Sequence, residues 1–405
     1  MSTASLLDTK YSWTRLAITL AVASIGNVGM WAVIMVLPSV EVQFDVSRAD
    51  ASLPWTLTMV GYALGNLLLG RAIDRFGVTR VLLVAAVSNA AGFALASAST
   101  GILMLSLCQL LIGFGTAASF GPLIADISQW FLRRRGVAVG IAAAGNYLSG
   151  AVWPWLLSDV LVDRGWSAVY LTLSVATLAL MIPGALALRR RVPPEAQAES
   201  DAVSSLNRGR VNLSPAVLQW ALVVAGVGCC VAMSMPQVHI VALCTDLGYG
   251  PAVGTEMLSL MLWGGVLSRF VSGVMADRLG GVMTLMVGST LQCIALLLYL
   301  PAGGMASLYA VSLVFGLSQG GIVPSYAVII REYMPAREAG ARVGFVICAT
   351  ILGMALGGWL SGWIYDQTGS YTMAFLNGIA WNLLNLAIVG YIFFTTRRRA
   401  GLAHV

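Results

Sequence analysis

Two short segments of this chain decide the fold that its sequence predicts. Residues 70–77 read GRAIDRFG and residues 273–280 read GVMADRLG. Gly, Asp, Arg and Gly take the same places in both segments, which begin 203 residues apart in a chain of 405. A motif repeated at half the chain length predicts a duplicated structural unit. The alternative is a chance likeness of two loops, which the shared spacing and equivalent positions disfavour.

The composition around these segments is that of a membrane protein. Hydrophobic residues make up 58% of the chain and charged residues only 10%, against about 25% charged in a typical soluble domain. The mean hydropathy is +0.84. Because one membrane-crossing helix needs about 20 apolar residues, the chain has room for about twelve of them. We therefore predict an all-α membrane protein.

Apolar stretches between charged or Gly- and Pro-rich breaks define twelve predicted spans. They cover residues 14–39, 52–70, 80–98, 102–125, 137–158, 168–188, 216–240, 254–275, 282–300, 305–329, 342–364 and 371–395. The one long polar segment, 189–215, predicts a cytoplasmic linker between two six-helix bundles, 1–188 and 216–405.

The positive charges orient these spans. The side that holds both termini carries 20 of the 23 Lys and Arg residues, whereas the other side carries only Arg48 and Arg164. Arg269 is the remaining one and lies inside a span. Because positive loops stay in the cytoplasm, both termini are expected there. We expect a multi-pass protein of the cell membrane, specifically a bacterial inner membrane.

The repeated segments suggest a gate on the cytoplasmic side. Their glycines permit close helix packing or a turn, and each aspartate is expected near the positively polarised N-terminus of a helix, in the same half or the other. Such contacts would hold one conformation. The predicted gating residues are Gly70, Asp74, Arg75, Gly77, Gly273, Asp277 and Arg278.

The repeated loop resembles the signature loop of the major facilitator superfamily. Residues 129–145, QWFLRRRGVAVGIAAAG, further resemble the WF-x-RR-x-x-A-x-G-I-x-x-x-G segment of the monocarboxylate transporter family and its oxalate/formate antiporter relatives. In residues 267–273, LSRFVSG, Arg269 is followed four residues later by glycine, as in both families. The resemblance implies two pseudo-symmetric six-helix bundles around a central cavity, and transport of small organic anions.

Arg269 is the strongest candidate for binding substrate. A guanidinium inside a span is costly unless it faces water or a partner, and its planar fork matches a carboxylate. We expect Arg269, near the cytoplasmic end of its predicted span, to anchor the substrate carboxylate between the two bundles. The alternatives are snorkelling to the interface or pairing with a structural acid.

Three charges that the resemblance leads one to expect are absent from this sequence. Their absence bears on the substrate class. Monocarboxylate transporters often carry an aspartate where this chain has Gly265, and a lysine in the first span, where this chain has no charge between 21 and 39. The oxalate antiporter has a second cation in the eleventh span, and 343–364 has none. One fixed cation suits one carboxylate, which favours lactate, pyruvate and other hydroxy- or keto-acids.

Other groups could complete the site. His239, at the outer end of the seventh predicted span, is the candidate for proton coupling, or else an interfacial histidine. Asp126 and Glu256 lie near span ends, where we expect solvated or capping roles. Asn27, Trp31, Asn146, Tyr147 and Tyr326 are expected to line the cavity, with helix–helix packing as the alternative for each.

The predicted function is proton-coupled transport of small monocarboxylates by alternating access. Organic-anion exchange of the oxalate/formate type is the alternative, and a multidrug exporter or a non-transporting sensor is less favoured. The sequence has no P-loop, zinc motif, catalytic triad or dinucleotide fingerprint, so we expect no enzyme activity, cofactor, metal or catalytic residue. The expected partners are the carboxylate, a proton and the bilayer. No nucleic-acid partner is expected, and the protein is expected to be a monomer.

Overall fold

The structure, a computed structural model, describes residues 7–46, 53–195, 198, 202–203 and 213–402. Most of these residues are helical, and no β-strand occurs among them. They form two compact units. Unit 1 consists of the described residues of Met1–Leu132, Ile141–Gln197 and Arg337–Cys348, and unit 2 of those of Arg133–Gly140, Ala198–Ala336 and Ala349–Val405.

Unit 1 contains the first six α-helices and most of the seventh. Their bounds are α1 Lys10–Gly26, α2 Val28–Phe44, α3 Leu53–Phe76, α4 Val78–Ser97, α5 Ile102–Thr116, α6 Gly121–Ile127 and α7 Arg135–Ala187. A short 3₁₀ turn, Ala117–Ser119, separates α5 from α6. The predicted spans 14–39 and 102–125 each overlap one membrane-length segment, Lys10–Val36 and Ile102–Ile127. Within these segments the helix assignment is divided at Asn27 and at the 3₁₀ turn respectively.

Unit 2 contains the beginning of α7 and the later helices. Their bounds are α8 Pro215–Asp246, α9 Pro251–Leu279, α10 Gly281–Tyr299, α11 Met305–Gln319, α12 Ile322–Tyr333, α13 Ala339–Thr368 and α14 Tyr371–Leu402. The first residues of α13, up to Cys348, belong to unit 1. The predicted span 305–329 lies within one membrane-length segment, Met305–Tyr333, in which the helix assignment is divided at Gly320 and Gly321, between α11 and α12.

Two glycines of the repeated motif determine where helices end. Gly77 follows α3 with φ 83° and ψ 161°, and Gly280 follows α9 with φ 83° and ψ 162°. A side chain is strained at this positive φ, so glycine is required for the sharp turn into the next helix. The final glycines of the two repeated segments thus make the same turn.

Ten helical segments of the described residues are long and apolar enough to cross a membrane. One of them, α7, has 53 residues and would measure about 80 Å as a straight helix, more than twice a hydrocarbon core of about 30 Å. Gly165 interrupts it with φ 78° and ψ 175°. Large apolar side chains such as Trp155, Trp359 and Phe394 are exposed, as expected for a surface that lipid covers.

Candidate functional site

The candidate site in unit 2 begins with a close crossing of α7 and α9. A Cβ on Gly136 would lie 2.4 Å from the Gly273 carbonyl oxygen. In turn, a Cβ on Gly273 would lie 2.7 Å from the Gly136 carbonyl oxygen. The Asp277 carboxylate accepts hydrogen bonds from the Gly136 N–H and, at 3.1 Å, the Val137 N–H. Asp277 thus lies at the N-terminus of α7, where the helix dipole favours an anion. We call this arrangement the unit 2 clamp.

Arg269 lies one turn from this crossing on α9. A Cβ on Gly140 would lie 2.4 Å from the Arg269 carbonyl oxygen, so glycine is required at 140 for α7 to pass. The Arg269 side chain is 3% exposed. Its Nε donates a hydrogen bond of 3.2 Å to the Gly320 carbonyl oxygen. The guanidinium is therefore held inside unit 2.

The Gly320 carbonyl can accept this bond because of the local sequence. In a continuous helix it would accept the N–H of Pro324, and proline has none. In an apolar interior a freed carbonyl needs another donor, which Arg269 supplies. The interruption between α11 and α12 and the buried arginine thus stabilise each other.

A cavity of about 10 Å³ adjoins Arg269. This volume holds about one water molecule, and most of its lining side chains are small. The lining residues are Gly136, Gly140, Arg269, Ser272, Gly273, Ala276, Gly321, Pro324, Ser325 and Val328. The cavity combines a cation with serine side chains, a chemistry suited to an oxyanion.

The structure corrects two predicted positions along helices. Arg269 was expected near the end of its span, but α9 continues to Leu279. Because the side chain is buried and bonds to a carbonyl of unit 2, it does not snorkel to a helix end. His239 was expected to end its helix, but α8 continues to Asp246. The His239 ring nitrogen Nε2 lies 2.9 Å from the Gly358 carbonyl oxygen, to which it donates.

Unit 1 contains the counterpart of the unit 2 clamp. A Cβ on Gly70 would lie 2.4 Å from the Gly340 carbonyl oxygen. In turn, a Cβ on Gly340 would lie 2.3 Å from the Gly70 carbonyl oxygen. The Asp74 carboxylate accepts from the N–H groups of Gly340 at 2.9 Å and Ala341 at 2.8 Å. This unit 1 clamp places Asp74 at the N-terminus of α13. Both aspartates thus lie where the sequence analysis expected them, while Arg75 and Arg278 are exposed.

Three of the predicted cavity residues form one hydrogen-bonded cluster in unit 1. The Asn27 Oδ1 accepts from Asn146 Nδ2 at 3.1 Å and from the Tyr62 hydroxyl at 3.2 Å. The Asn27 Nδ2 donates to the Ser119 carbonyl oxygen at 3.0 Å, at the interruption between α5 and α6. The Trp31 Nε1 donates to the Asn146 carbonyl oxygen at 2.9 Å. Tyr62 was not identified from the sequence, which offers no signal for it.

The remaining predicted cavity residues lie elsewhere. Tyr147, beside Asn146, is buried. Tyr326 is fully buried in unit 2, and its hydroxyl lies 3.3 Å from both Cys229 Sγ and Asn385 Oδ1. The structure therefore places Tyr326 in a helix-packing contact and outside the lining of the Arg269 cavity.

Unit 1 also contains a buried ion pair that was not predicted from the sequence. Arg15, expected on the cytoplasmic side, lies in α1 with its side chain 1% exposed. Its Nη2 lies 2.7 Å from Asp126 Oδ2, and its Nη1 donates to the carbonyl oxygens of Leu188 and Arg190, each at 3.1 Å. Asp126 thus has neither the solvated nor the capping role expected for it. The sequence did offer a signal for this pair, because Arg15 and Asp126 are opposite charges that each lie in a largely apolar stretch.

The chain is similar in sequence to proteins of a known family. The sequence profile of the Major Facilitator Superfamily matches residues 18–254 and 220–403. Monocarboxylate transporter 13 of Bos taurus is 30% identical over 307 residues, which are 75% of this chain and 70% of that protein. Monocarboxylate transporter 11 of Homo sapiens is 27% identical over 387 residues, or 91% and 80% of the two chains.

A solved structure shows the fold. The human organic anion transporter MFSD10 (TETRAN) matches with a TM-score of 0.75 at 14% identity, over 93% of this chain and 99% of that one. At this identity the likeness concerns the helical architecture alone.

Proposed function

The chain belongs to the Major Facilitator Superfamily, and from that premise we propose that it carries small monocarboxylates across a membrane by alternating access. It is a transporter and not an enzyme. The observation that carries the proposal is Arg269, a buried cation beside a cavity in unit 2. The two relatives described above are named for monocarboxylate transport, which supports the same substrate class.

The charge of the site favours one carboxylate. The lining of the Arg269 cavity contains one arginine and no lysine among the described residues. A dianion held there would leave its second carboxylate without a cation, and desolvating that charge is costly. Pyruvate, lactate and similar hydroxy- or keto-acids are therefore the proposed substrates.

The cavity must widen for any of these acids to bind. A volume of about 10 Å³ admits water but not a three-carbon acid. Because glycines line the crossing of α7 and α9, these helices can slide or separate without breaking side-chain interlocks. We propose that this movement belongs to the transport cycle and that the two clamps, at Asp74 and Asp277, stabilise one of its conformations.

The proposed topology is twelve spans with both termini in the cytoplasm. The ten segments described above count α7 once, although Gly165 divides it into two lengths that could each cross a bilayer. Helix α3, with 24 residues, is long enough to be another span. The excess of Lys and Arg on one side supports the orientation. A monomer is the proposed functional form.

Proton coupling is the proposed driving force, with His239 as the candidate group. Its ring donates to the Gly358 carbonyl, a bond that both the neutral and the charged imidazole can make. Exchange against an internal anion is the alternative. Uptake that responds to a pH gradient supports proton coupling, whereas uptake that requires a loaded counter-anion supports exchange.

The test measures uptake of radiolabelled pyruvate into proteoliposomes containing the purified protein. Arg269→Gln should abolish uptake and pyruvate-dependent thermal stabilisation, and Arg269→Lys should reduce both because the bidentate fork is lost. The matched control, Arg80→Gln, removes an exposed arginine at the start of α4 and should transport normally. Normal uptake by folded Arg269→Gln protein would refute the proposal.

A further inference from the structure

A second polar group lies at the interruption between α11 and α12. Gln319, the last residue of α11, is 1% exposed. Its Oε1 accepts a hydrogen bond of 2.9 Å from Gln237 Nε2 on α8. Its Nε2 has no hydrogen-bond partner among the described residues. A buried amide N–H without an acceptor is costly, so this donor calls for an explanation.

The position of Gln319 connects it with Arg269. The residue after Gln319 is Gly320, whose carbonyl oxygen accepts from Arg269 Nε at 3.2 Å. A Cβ on Gly320 would lie 2.3 Å from the Gly265 carbonyl oxygen, so α9 passes directly against this point. Gln319 therefore precedes the carbonyl that bonds Arg269, at a helix interruption of the kind that commonly lines a ligand site in membrane proteins. It does not line the 10 Å³ cavity itself, so it would meet a ligand only when this cavity widens.

The orientation of the amide is fixed by its neighbour. Because Gln237 occupies the Oε1 end, the Nε2 end of Gln319 must face away from that contact. A donor held in this way can bond an uncharged oxygen atom without requiring a second carboxylate.

We propose that Gln319 Nε2 donates a hydrogen bond to the oxygen on carbon 2 of a monocarboxylate whose carboxylate is held by Arg269. The site thereby selects 2-oxo and 2-hydroxy acids over acids that lack this oxygen. This inference rests on the proposed function and adds a specificity-determining residue to it.

The test compares pyruvate and lactate with propionate, which has the same three carbons and carboxylate but no oxygen on carbon 2. Binding is measured from the concentration dependence of the thermal shift of detergent-purified protein. The wild-type protein should bind pyruvate and lactate about tenfold more tightly than propionate, which is the net contribution of one typical hydrogen bond. Gln319→Met should reduce pyruvate and lactate binding to the propionate level and leave propionate unchanged.

The matched control is Gln292→Met. Gln292 is a fully buried glutamine of α10 whose Nε2 donates to the Cys229 carbonyl oxygen at 3.1 Å and whose Oε1 has no partner among the described residues. Its loss should leave the ratio between pyruvate and propionate unchanged. If Gln319→Met does not fold, Gln237→Met, at a half-buried position, should lower the ratio by releasing the Gln319 amide.

The outcomes separate this inference from the proposed function. If all three acids bind and require Arg269, but Gln319→Met weakens all three equally, the inference is wrong and the proposed function stands. The same holds if wild-type protein binds the three equally. If no monocarboxylate binds wild-type protein, the proposed function fails as well.

Discussion

The two clamps have the same backbone geometry and different side chains beside it. In unit 1, Gly344 packs against α3 such that its Cβ would lie 2.3 Å from the Asn66 carbonyl oxygen. In unit 2, Gly140 packs against α9 with the corresponding distance of 2.4 Å to the Arg269 carbonyl oxygen. Asn66 and Arg269 are 203 positions apart, the same offset as the repeated motif.

This difference separates what holds the helices from what binds a ligand. Asn66 is neutral and fully buried, its Nδ2 donates to the Tyr62 carbonyl oxygen at 2.9 Å, and its Oδ1 has no partner among the described residues. Arg269, at the equivalent place, brings a permanent charge. The duplicated glycines and aspartates fix the crossing, so the side chain next to it is available to differ between the units.

The largest effect should come from filling either crossing. Gly136→Val and Gly340→Val each place a side chain within 2.4 Å of a backbone oxygen that cannot move aside. We expect a loss of stability of about 3 kcal/mol or more for each, with loss of transport. Gly390→Val, where nothing lies within 4 Å, is the control for valine in a helix. The melting midpoint in detergent measures this loss of stability. A clamp that tolerates valine would show that its helix crossing does not require glycine.

Removing one charge from each clamp should have a smaller and equal effect. Asp74→Asn and Asp277→Asn keep the shape but weaken two hydrogen bonds at a helix N-terminus, each variant at a cost of about 1–2 kcal/mol. The measurement is the melting midpoint of both variants in the same detergent. A clearly unequal pair would mean that the clamps are equivalent in geometry but not in energy.

Asn66→Leu sharpens the contrast with Arg269. The substitution removes one hydrogen bond and also an oxygen without a partner, effects that oppose each other, so stability should change by less than about 1 kcal/mol. Pyruvate uptake should persist. Loss of uptake in protein that melts normally would show that unit 1 also contributes a substrate contact at this position.

The smallest expected effect concerns the helix N-termini themselves. Glu338 precedes α13, whereas Arg134, 204 positions earlier, precedes α7. The hydrogen bond from Arg342, 2.7 Å from Nη2 to Oε2, lowers the pKa of Glu338. The stability from this pair is present above the unfolded pKa of the carboxyl and is lost as the pH falls through the lowered value.

For such an exposed pair we expect about 0.3–0.5 kcal/mol. The difference in melting midpoint between wild type and Glu338→Gln, followed from pH 7 to pH 3, should shrink as the pH falls. A difference that does not change with pH would assign the effect to packing.

Much of the fold could be predicted from the sequence because membrane helices are governed by local rules. Apolar length defines a span, and the repeated glycines at 77 and 280 end their helices through a backbone angle that few other residues adopt. The aspartates could be assigned to helix N-termini on electrostatic grounds. Their partner helices could not, since residues 266 positions away supply the N–H groups for Asp74.

The interruptions were missed for a tertiary reason. Asn27 and Gly320 lie in stretches whose composition is typical of continuous helices, and Pro324 alone does not force a break. Side chains distant in sequence bond the carbonyls at these points: Asn27 donates to the Ser119 carbonyl and Arg269 to the Gly320 carbonyl. The polar candidates Tyr326 and Asn27 are suited to a cavity by type, and the structure pairs them with Asn385 and Asn146 respectively, partners that the sequence does not predict.

By itself the sequence determined the helical membrane architecture and the internal repeat, and it singled out Arg269 as a charge inside an apolar span. These properties follow from composition, periodic spacing and the cost of one charge in an apolar span. Only the tertiary structure decided which carbonyl Arg269 bonds, which helix N-termini the aspartates bond and that Gln319 Nε2 has no hydrogen-bond partner among the described residues. A hydrogen bond requires two groups within about 3 Å, and when they lie far apart in sequence, packing alone brings them together.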